Sequence, residues 1–237
     1  MSIEESIFMG RVAEQAERFE DMVEFLTPVV QEKGANLSVE ERNLLSVAFK
    51  NLVGSRRTAW RTISAIEQNP KYAHFADAIA GYKKRIEEEL FKNCESIISN
   101  VETNILKTAQ DGESKAFFLK MVGDYYRYIA ESASGDKLKE VTGKALEAYD
   151  NAVSAAEGLG ACNPIKLGLA LNFSVFHYEV MSDSAKACEL AKTALTEAQA
   201  KASDNDEDYK DAHSILELLQ ENLALWNEDD KKDVEDM

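Results

Sequence analysis

Apolar residues recur at three- and four-residue intervals along almost the whole 237-residue chain, with no sustained alternation anywhere. Leu44, Leu45, Ala48, Leu52 and Val53 form one stripe; Ile86, Leu90, Ile97, Ile98, Val101, Ile105 and Leu106 form a longer one. Side chains at i, i+3, i+4 and i+7 share one helical face, whereas a half-buried strand needs a period of two. The pattern therefore predicts an all-α fold. Three prolines and eleven glycines suit long elements joined by short connections, which makes consecutive helices antiparallel neighbours.

Punctuation divides the pattern. Gly34 ends a helix, and Ser38 with Glu41 is a capping box that opens the next. Asn69-Pro70 closes that helix, because the residue before proline is pushed out of helical geometry. Asp111-Gly112 reads as a turn, Ser134-Gly135-Asp136 as a break, and Asn163-Pro164 as a cap followed by proline at the first helical position. Ser182–Ser184 and the acidic run 204–208 mark the last two breaks. Nine helices result, at roughly 3–17, 20–33, 39–68, 73–109, 114–133, 137–159, 165–181, 185–203 and 208–227. No composition shift marks an internal linker, so residues 1–227 read as a single helical domain. Residues 228–237 are acidic with almost nothing apolar and read as a disordered tail.

Net charge is −16 and the isoelectric point about 4.7. Nucleic acid and anionic membrane surfaces are poor partners for such a chain, since both are bound chiefly through Lys and Arg. No stretch approaches the ~18 apolar residues of a membrane span. Cys94, Cys162 and Cys188 are odd in number and widely spaced, which argues against disulfides and a metal cluster and for a reducing compartment. The amino terminus, MSIEESIFMGR, lacks the charged-then-apolar pattern of a secretion signal. Localisation is expected in the cytoplasm, with the nucleus also open. His74, His177 and His213 are scattered, GLGACN at 158–163 follows no strand, and no phosphate-loop string occurs. Neither catalysis nor a cofactor is expected.

Two helices carry the same cation pair: Lys50 and Arg57, and Lys120 and Arg127, each seven residues apart. Seven residues make two turns, about 10.5 Å of rise, and return to nearly the same face. Tyr128 adds a phenolic donor beside Arg127. Guanidinium forks and a lysine match the oxygens and near-double charge of a phosphate monoester. The spacing alone fits solvated surface cations equally well, and Asp124 lies within local reach of Lys120 and Arg127. Two further stripes each hold one asparagine. Gly168, Asn172, Val175 and Glu179, with Leu171 beside them, share a face of the seventh helix. Ile215, Leu218, Asn222 and Leu225, with Trp226 adjacent, share one of the ninth. A carboxamide can bond both groups of an extended peptide backbone, although a core stripe with one tolerated asparagine explains the same pattern.

The strings RNLLSVAFKN (42–51), GSRRTAW (54–60), KMVGDYYRYIAE (120–131), LGLALNFSVFHYE (167–179) and LLQENLALW (218–226) resemble 14-3-3 proteins. The likeness runs from AEQAERFEDM at 13–22 through Trp226. It implies a cup of nine antiparallel helices, dimeric through its N-terminal helices, with an amphipathic groove for a phosphoserine- or phosphothreonine-containing client segment. Lys50, Arg57, Arg127 and Tyr128 would hold the phosphate, and Asn172 and Asn222 the peptide backbone. Leu171, Val175, Ile215, Leu218 and Leu225 would form the wall, with Lys120, Arg61, Glu179 and Trp226 at the edges. In a homodimer or heterodimer, Val12, Ala13 and Ala16 would pack on Ala59, Ile63 and Tyr82 of the partner, with ion pairs from Arg18 to Glu89 and from Asp21 to Arg85. The chain departs from the family pattern at Ala59, where many relatives carry serine, at Gln220-Glu221 in place of Arg-Asp, at Asn163 and Lys166 in place of His and Arg, and at Phe19 in place of tyrosine. A phosphate-independent, repeat-like helical scaffold is the alternative, although no repeat of about 34 residues is evident.

Overall fold

A computed structural model describes the backbone of residues 1–201 and 207–235, and their side chains except at 207–209, 211 and 229–235. Among these residues every regular element is helical. The α-helices are α1 (Ile3–Gln15), α2 (Phe19–Lys33), α3 (Val39–Glu67), α4 (Ala76–Asn100), α5 (Gly112–Ala130), α6 (Gly135–Ala155), α7 (Pro164–Glu179), α8 (Ser184–Lys201) and α9 (Glu207–Glu235). A 3-10 turn at Pro70–Phe75 precedes α4 and a π turn at Val101–Leu106 follows it. No helix among the described residues is long and apolar enough to cross a membrane.

The caps form where the sequence places them. Ser38 Oγ accepts from the Glu41 amide at 3.2 Å while the Glu41 carboxylate accepts from the Ser38 amide at 2.9 Å. Asp111, read from the sequence as part of a turn, also acts as a cap and accepts from the Ser114 amide at the head of α5. Asn163 accepts from the amides of Ile165 and Lys166 at the head of α7, with Pro164 at the first helical position. Each bond satisfies an amide that has no partner inside the helix. Gly34 closes α2 with φ +55°. A Cβ there would lie 2.4 Å from Thr108 Oγ1, the atom that accepts from the Ala35 amide.

The fourth helix differs from the expected 73–109. Pro70 initiates a 3-10 turn capped by Asn69, and the carboxyl end widens into the π turn, which buries Val101 and Ile105. The apolar stripe runs unbroken into the π turn, so periodicity alone cannot show that change in hydrogen-bond step, whereas the 3-10 turn buries none of its residues. The acidic break at 204–208 falls largely outside the described residues. The backbone of α9 continues to Glu235, through most of the segment assigned to a disordered tail; 236–237 lie outside the described residues.

The chain divides into two compact units, Met1–Ala109 and Gln110–Met237, where the sequence shows no shift in composition. The first unit, α1–α4, is built on Met22, Leu26, Phe49, Val53, Leu90 and Ile97. The second, α5–α9, holds two apolar clusters. One joins Ala116, Ala145, Tyr149, Ala152, Phe173 and Phe176 from α5, α6 and α7. The other joins Leu167, Cys188, Ala191, Leu216, Leu219 and Trp226 from α7, α8 and α9. Cys94, Cys162 and Cys188 are buried and unbridged.

His177 sits in the aromatic cluster, 4.8 Å from the Phe173 ring, and its Nδ1 has no hydrogen-bond partner among the described residues. Burial holds its pKa below the ordinary value, reinforced by Lys186 and opposed by Asp183 and Asp150. The unfolded chain binds a proton near pH ~6.5, before the folded chain does. Stability is therefore complete above that pH and declines as pH falls through it toward the lowered folded pKa. The difference in Tm between His177→Phe and wild type should move in favour of the variant between about pH 7.5 and 5, at roughly 2–4 °C per kcal/mol for a chain this size. Parallel thermal-melt profiles across that range would contradict the account.

Candidate functional site

In the second unit the candidate residues converge on Asp124. Asp124 is buried on α5, and its Oδ2 accepts from Lys120 Nζ at 2.9 Å, one turn earlier. Its Oδ1 accepts from Asn172 Nδ2 of α7 at 2.9 Å and from Tyr149 Oη of α6 at 2.7 Å. Tyr149 Oη in turn accepts from Arg127 Nε at 3.4 Å. Arg127 Nη1 lies 3.5 Å from Glu131 and 3.6 Å from Glu179, and the guanidinium carbon stands 4.8 Å from the Tyr128 ring centre. Arg127, Tyr128, Lys120, Asn172 and Glu179 thus form one connected group.

Arg127 is only 7% exposed. Burial works against its charge, but the Tyr149 oxygen, Asp124 and Tyr128 outweigh that, and its pKa is raised. Tyr149 is fully buried; burial and then Asp124 push its phenol well above the ordinary value, against the pull of Arg127. A neutral hydroxyl therefore bridges a permanent cation and a carboxylate. A buried cation needs both charge compensation and hydrogen bonds, and this arrangement supplies both.

Beside this group, Leu171 and Val175 of α7 and Ile215 of α9 are half-buried against the α7–α9 cluster. Leu218 and Leu225 are 47% and 53% exposed, and Asn222 between them is half-buried. Packed helices thus present an apolar surface with an asparagine on each. Trp226 does not lie at its edge. It is 3% exposed and stacked on Tyr178 with ring centres 4.9 Å apart, because the residue after Leu225 turns about 100° toward α7 and α8. A separate cleft of about 310 Å³, lined by Val153, Leu169, Phe173, Leu190 and Glu197 among others, contains none of the candidate residues.

In the first unit, Lys50, Arg57 and Arg61 line up along α3, opposite the face that buries Leu45, Phe49, Leu52 and Val53. Lys50 and Arg61 are exposed and Arg57 is half-buried. The neighbouring Arg56 turns the other way, 2.6 Å from Glu20 of α2 and 3.9 Å from Glu89 of α4. Of the expected phosphate ligands, Lys50 and Arg57 thus belong to the first unit, and Arg127 and Tyr128 to the second.

A family model described as 14-3-3 protein matches residues 9–227. The chain belongs to the 14-3-3 family. It is 47% identical over 232 residues to 14-3-3 protein 2 of Entamoeba histolytica, covering 96% of this chain and 97% of that one. It is also 47% identical over 234 residues to Protein BMH1 of Saccharomyces cerevisiae, covering 96% and 87%. Over 231 residues it is 45% identical to the 14-3-3-like protein GF14 epsilon of Arabidopsis thaliana, covering 95% and 91%. Membership of the 14-3-3 family makes the chain a phosphoserine- and phosphothreonine-binding adaptor.

The residues expected at a 14-3-3 dimer contact divide. Val12 and Tyr82 are 42% and 49% exposed, Ala16 is exposed and Ala59 is half-buried. Ala13 and Ile63, by contrast, are buried at 5% and 8%, because they lie on the core-facing sides of α1 and α3. Arg18 forks onto Asp21 at 2.9 and 3.1 Å, and Arg85 lies 3.8 Å from Glu89. All four charges find partners three or four residues away in sequence, where the sequence reading paired them across an interface.

Tyr149 was not among the residues the sequence singled out. It sits in an ordinary core stripe with Val141, Ala145, Ala148 and Ala152, and nothing local distinguishes it. The one trace is Gly123, where a Cβ would lie 2.9 Å from two carbons of the Tyr149 ring. The stacked Phe173, 5.1 Å away, leaves that ring little room to retreat. Gly123→Ala should therefore destabilise the fold by about 1–3 kcal/mol through overpacking, measured by denaturant unfolding. An unchanged midpoint would show that Tyr149 relaxes freely.

Proposed function

We propose that Lys50 and Arg57 of α3 join Arg127 and Tyr128 of α5 to bind the phosphate of a phosphorylated client. Asn172 and Asn222 would bond the client backbone, and Leu171, Val175, Ile215, Leu218 and Leu225 would receive its side chains. Lys120, Arg61 and Glu179 would act at the rim, with Trp226 supporting the wall from within the core. The observation that carries the reading is Arg127. A guanidinium this deeply buried is kept charged by Asp124 and Tyr149, while Nη2 donates to nothing among the described residues. The protein surface as a whole is strongly acidic, so a localised cationic site selects the phosphorylated form of a segment over the unmodified one.

No catalytic step is part of this reading. Binding alone masks or reshapes the client, as one domain over residues 1–227, in the cytoplasm. Two copies would pair through the N-terminal helices, as a homodimer or with a related chain. The exposed apolar side chains of Phe8, Val12 and Tyr82 support that surface. Arg18, Asp21, Arg85 and Glu89 can exchange their local partners for those of the second copy. Two sites on one frame would raise avidity for doubly phosphorylated clients by about 10²–10⁴.

Lys50 is exposed and lies on the side of α3 away from its core, so Lys50→Glu tests the socket without disturbing the fold. It should weaken binding of a phosphoserine peptide by at least about 100-fold in a titration, with an unchanged helical spectrum. Equal affinity of variant and wild type would remove Lys50 from the site. Client capture from lysate should also be lost after phosphatase treatment of the lysate; capture that survived would favour the phosphate-independent scaffold.

A further inference from the structure

Tyr149 is closed off from the surface, yet it touches the cation on which the proposed site depends. Its side chain is fully buried, with ring centres 5.1 Å from Phe173 and 5.4 Å from Phe176. The direction of its hydrogen bonds is forced by chemistry. Ionised Asp124 can only accept, Arg127 Nε can only donate, and a phenol does one of each. The hydroxyl proton therefore points to Asp124 Oδ1 at 2.7 Å, which leaves the phenolic lone pairs facing Arg127 Nε at 3.4 Å. Asp124 is fixed in turn by Lys120 at 2.9 Å on its other oxygen and by Asn172 at 2.9 Å on the shared one.

We infer that Tyr149 is a positioning residue for anion binding: its hydroxyl, oriented by Asp124, holds the Arg127 guanidinium in the direction a phosphate requires, and the same carboxylate ties that cation to Lys120 and Asn172. The inference rests on the phosphate-binding reading above and extends it to a residue outside the ligand surface. A free arginine side chain has many rotamers, and fixing one before the ligand arrives removes part of the ordering cost of binding. The linkage through one carboxylate further makes phosphate-facing and backbone-facing groups interdependent, since Asn172 and Tyr149 share Oδ1.

The test uses the full chain and a fluorescent peptide library carrying one phosphoserine, with its serine counterpart as control. Tyr149→Phe retains the stacked ring and removes the bridging oxygen. It should weaken phosphopeptide binding about tenfold, the size of one lost bond to a charged group. Arg127→Lys removes the Nε donor, so in that background Tyr149→Phe should have no further effect. A structural role alone would weaken binding by the same factor in both backgrounds. The Nε–H resonance of Arg127 should exchange slowly with solvent in wild type and rapidly in Tyr149→Phe. If Tyr149→Phe proves unstable, Asp124→Asn keeps the shape and removes the orienting charge, and the same dependence on Arg127 is expected. Wild-type affinity in Tyr149→Phe, or equal losses in both backgrounds, overturns the inference and leaves the phosphate reading intact. A wild-type chain that does not distinguish phosphoserine from serine peptides overturns the reading itself.

Discussion

A guanidinium inside a protein needs a counter-charge and hydrogen bonds at the same time, and in this chain Asp124 and Tyr149 supply them to Arg127. The arrangement draws in three helices of the second unit. Asp124 and Arg127 come from α5, Tyr149 from α6 and Asn172 from α7. The stacked rings of Tyr149, Phe173 and Phe176 fix the distance between α6 and α7, and Gly123 lets α5 approach the tyrosine. The core of the unit and the environment of Arg127 are therefore one structure. Loosening the aromatic stack would also loosen the cation.

The first unit handles charge differently. Lys50, Arg57 and Arg61 stand in a row on a helix whose other face is apolar, so their direction follows from the amphipathicity of α3 alone. Arg56, one residue out of register, is instead taken up by Glu20 and Glu89. One position of shift on a helix, about 100°, thus separates Arg56, which braces the unit, from the row of Lys50, Arg57 and Arg61.

Much of the fold was legible in the sequence. Capping at Ser38 and Asn163 and the closing glycine at Gly34 set helix boundaries within a few residues, because those signals act through bonds spanning at most four residues. The π turn after α4 was not visible, since it preserves the apolar stripe while changing the hydrogen-bond step. In the site, the alignment of Lys50 with Arg57 and of Lys120 with Arg127 could be read from spacing. The burial of Trp226, Ala13 and Ile63 could not, because a stripe of apolar residues has edges, and only the neighbouring helix decides which edge it covers.

By itself the sequence determined a helical chain without strands, its caps, its acidic surface and the rows of cations on two helices, all of which follow from periodicity and short-range bonding. Resemblance of long strings to a known family added the binding of phosphoserine and phosphothreonine. Only the tertiary structure decided that Asp124 meets Tyr149, 25 residues on, and Asn172, 48 residues on. Hydrogen bonds over such separations depend on how α5, α6 and α7 pack, and helical period states which side of a helix is buried without stating against what.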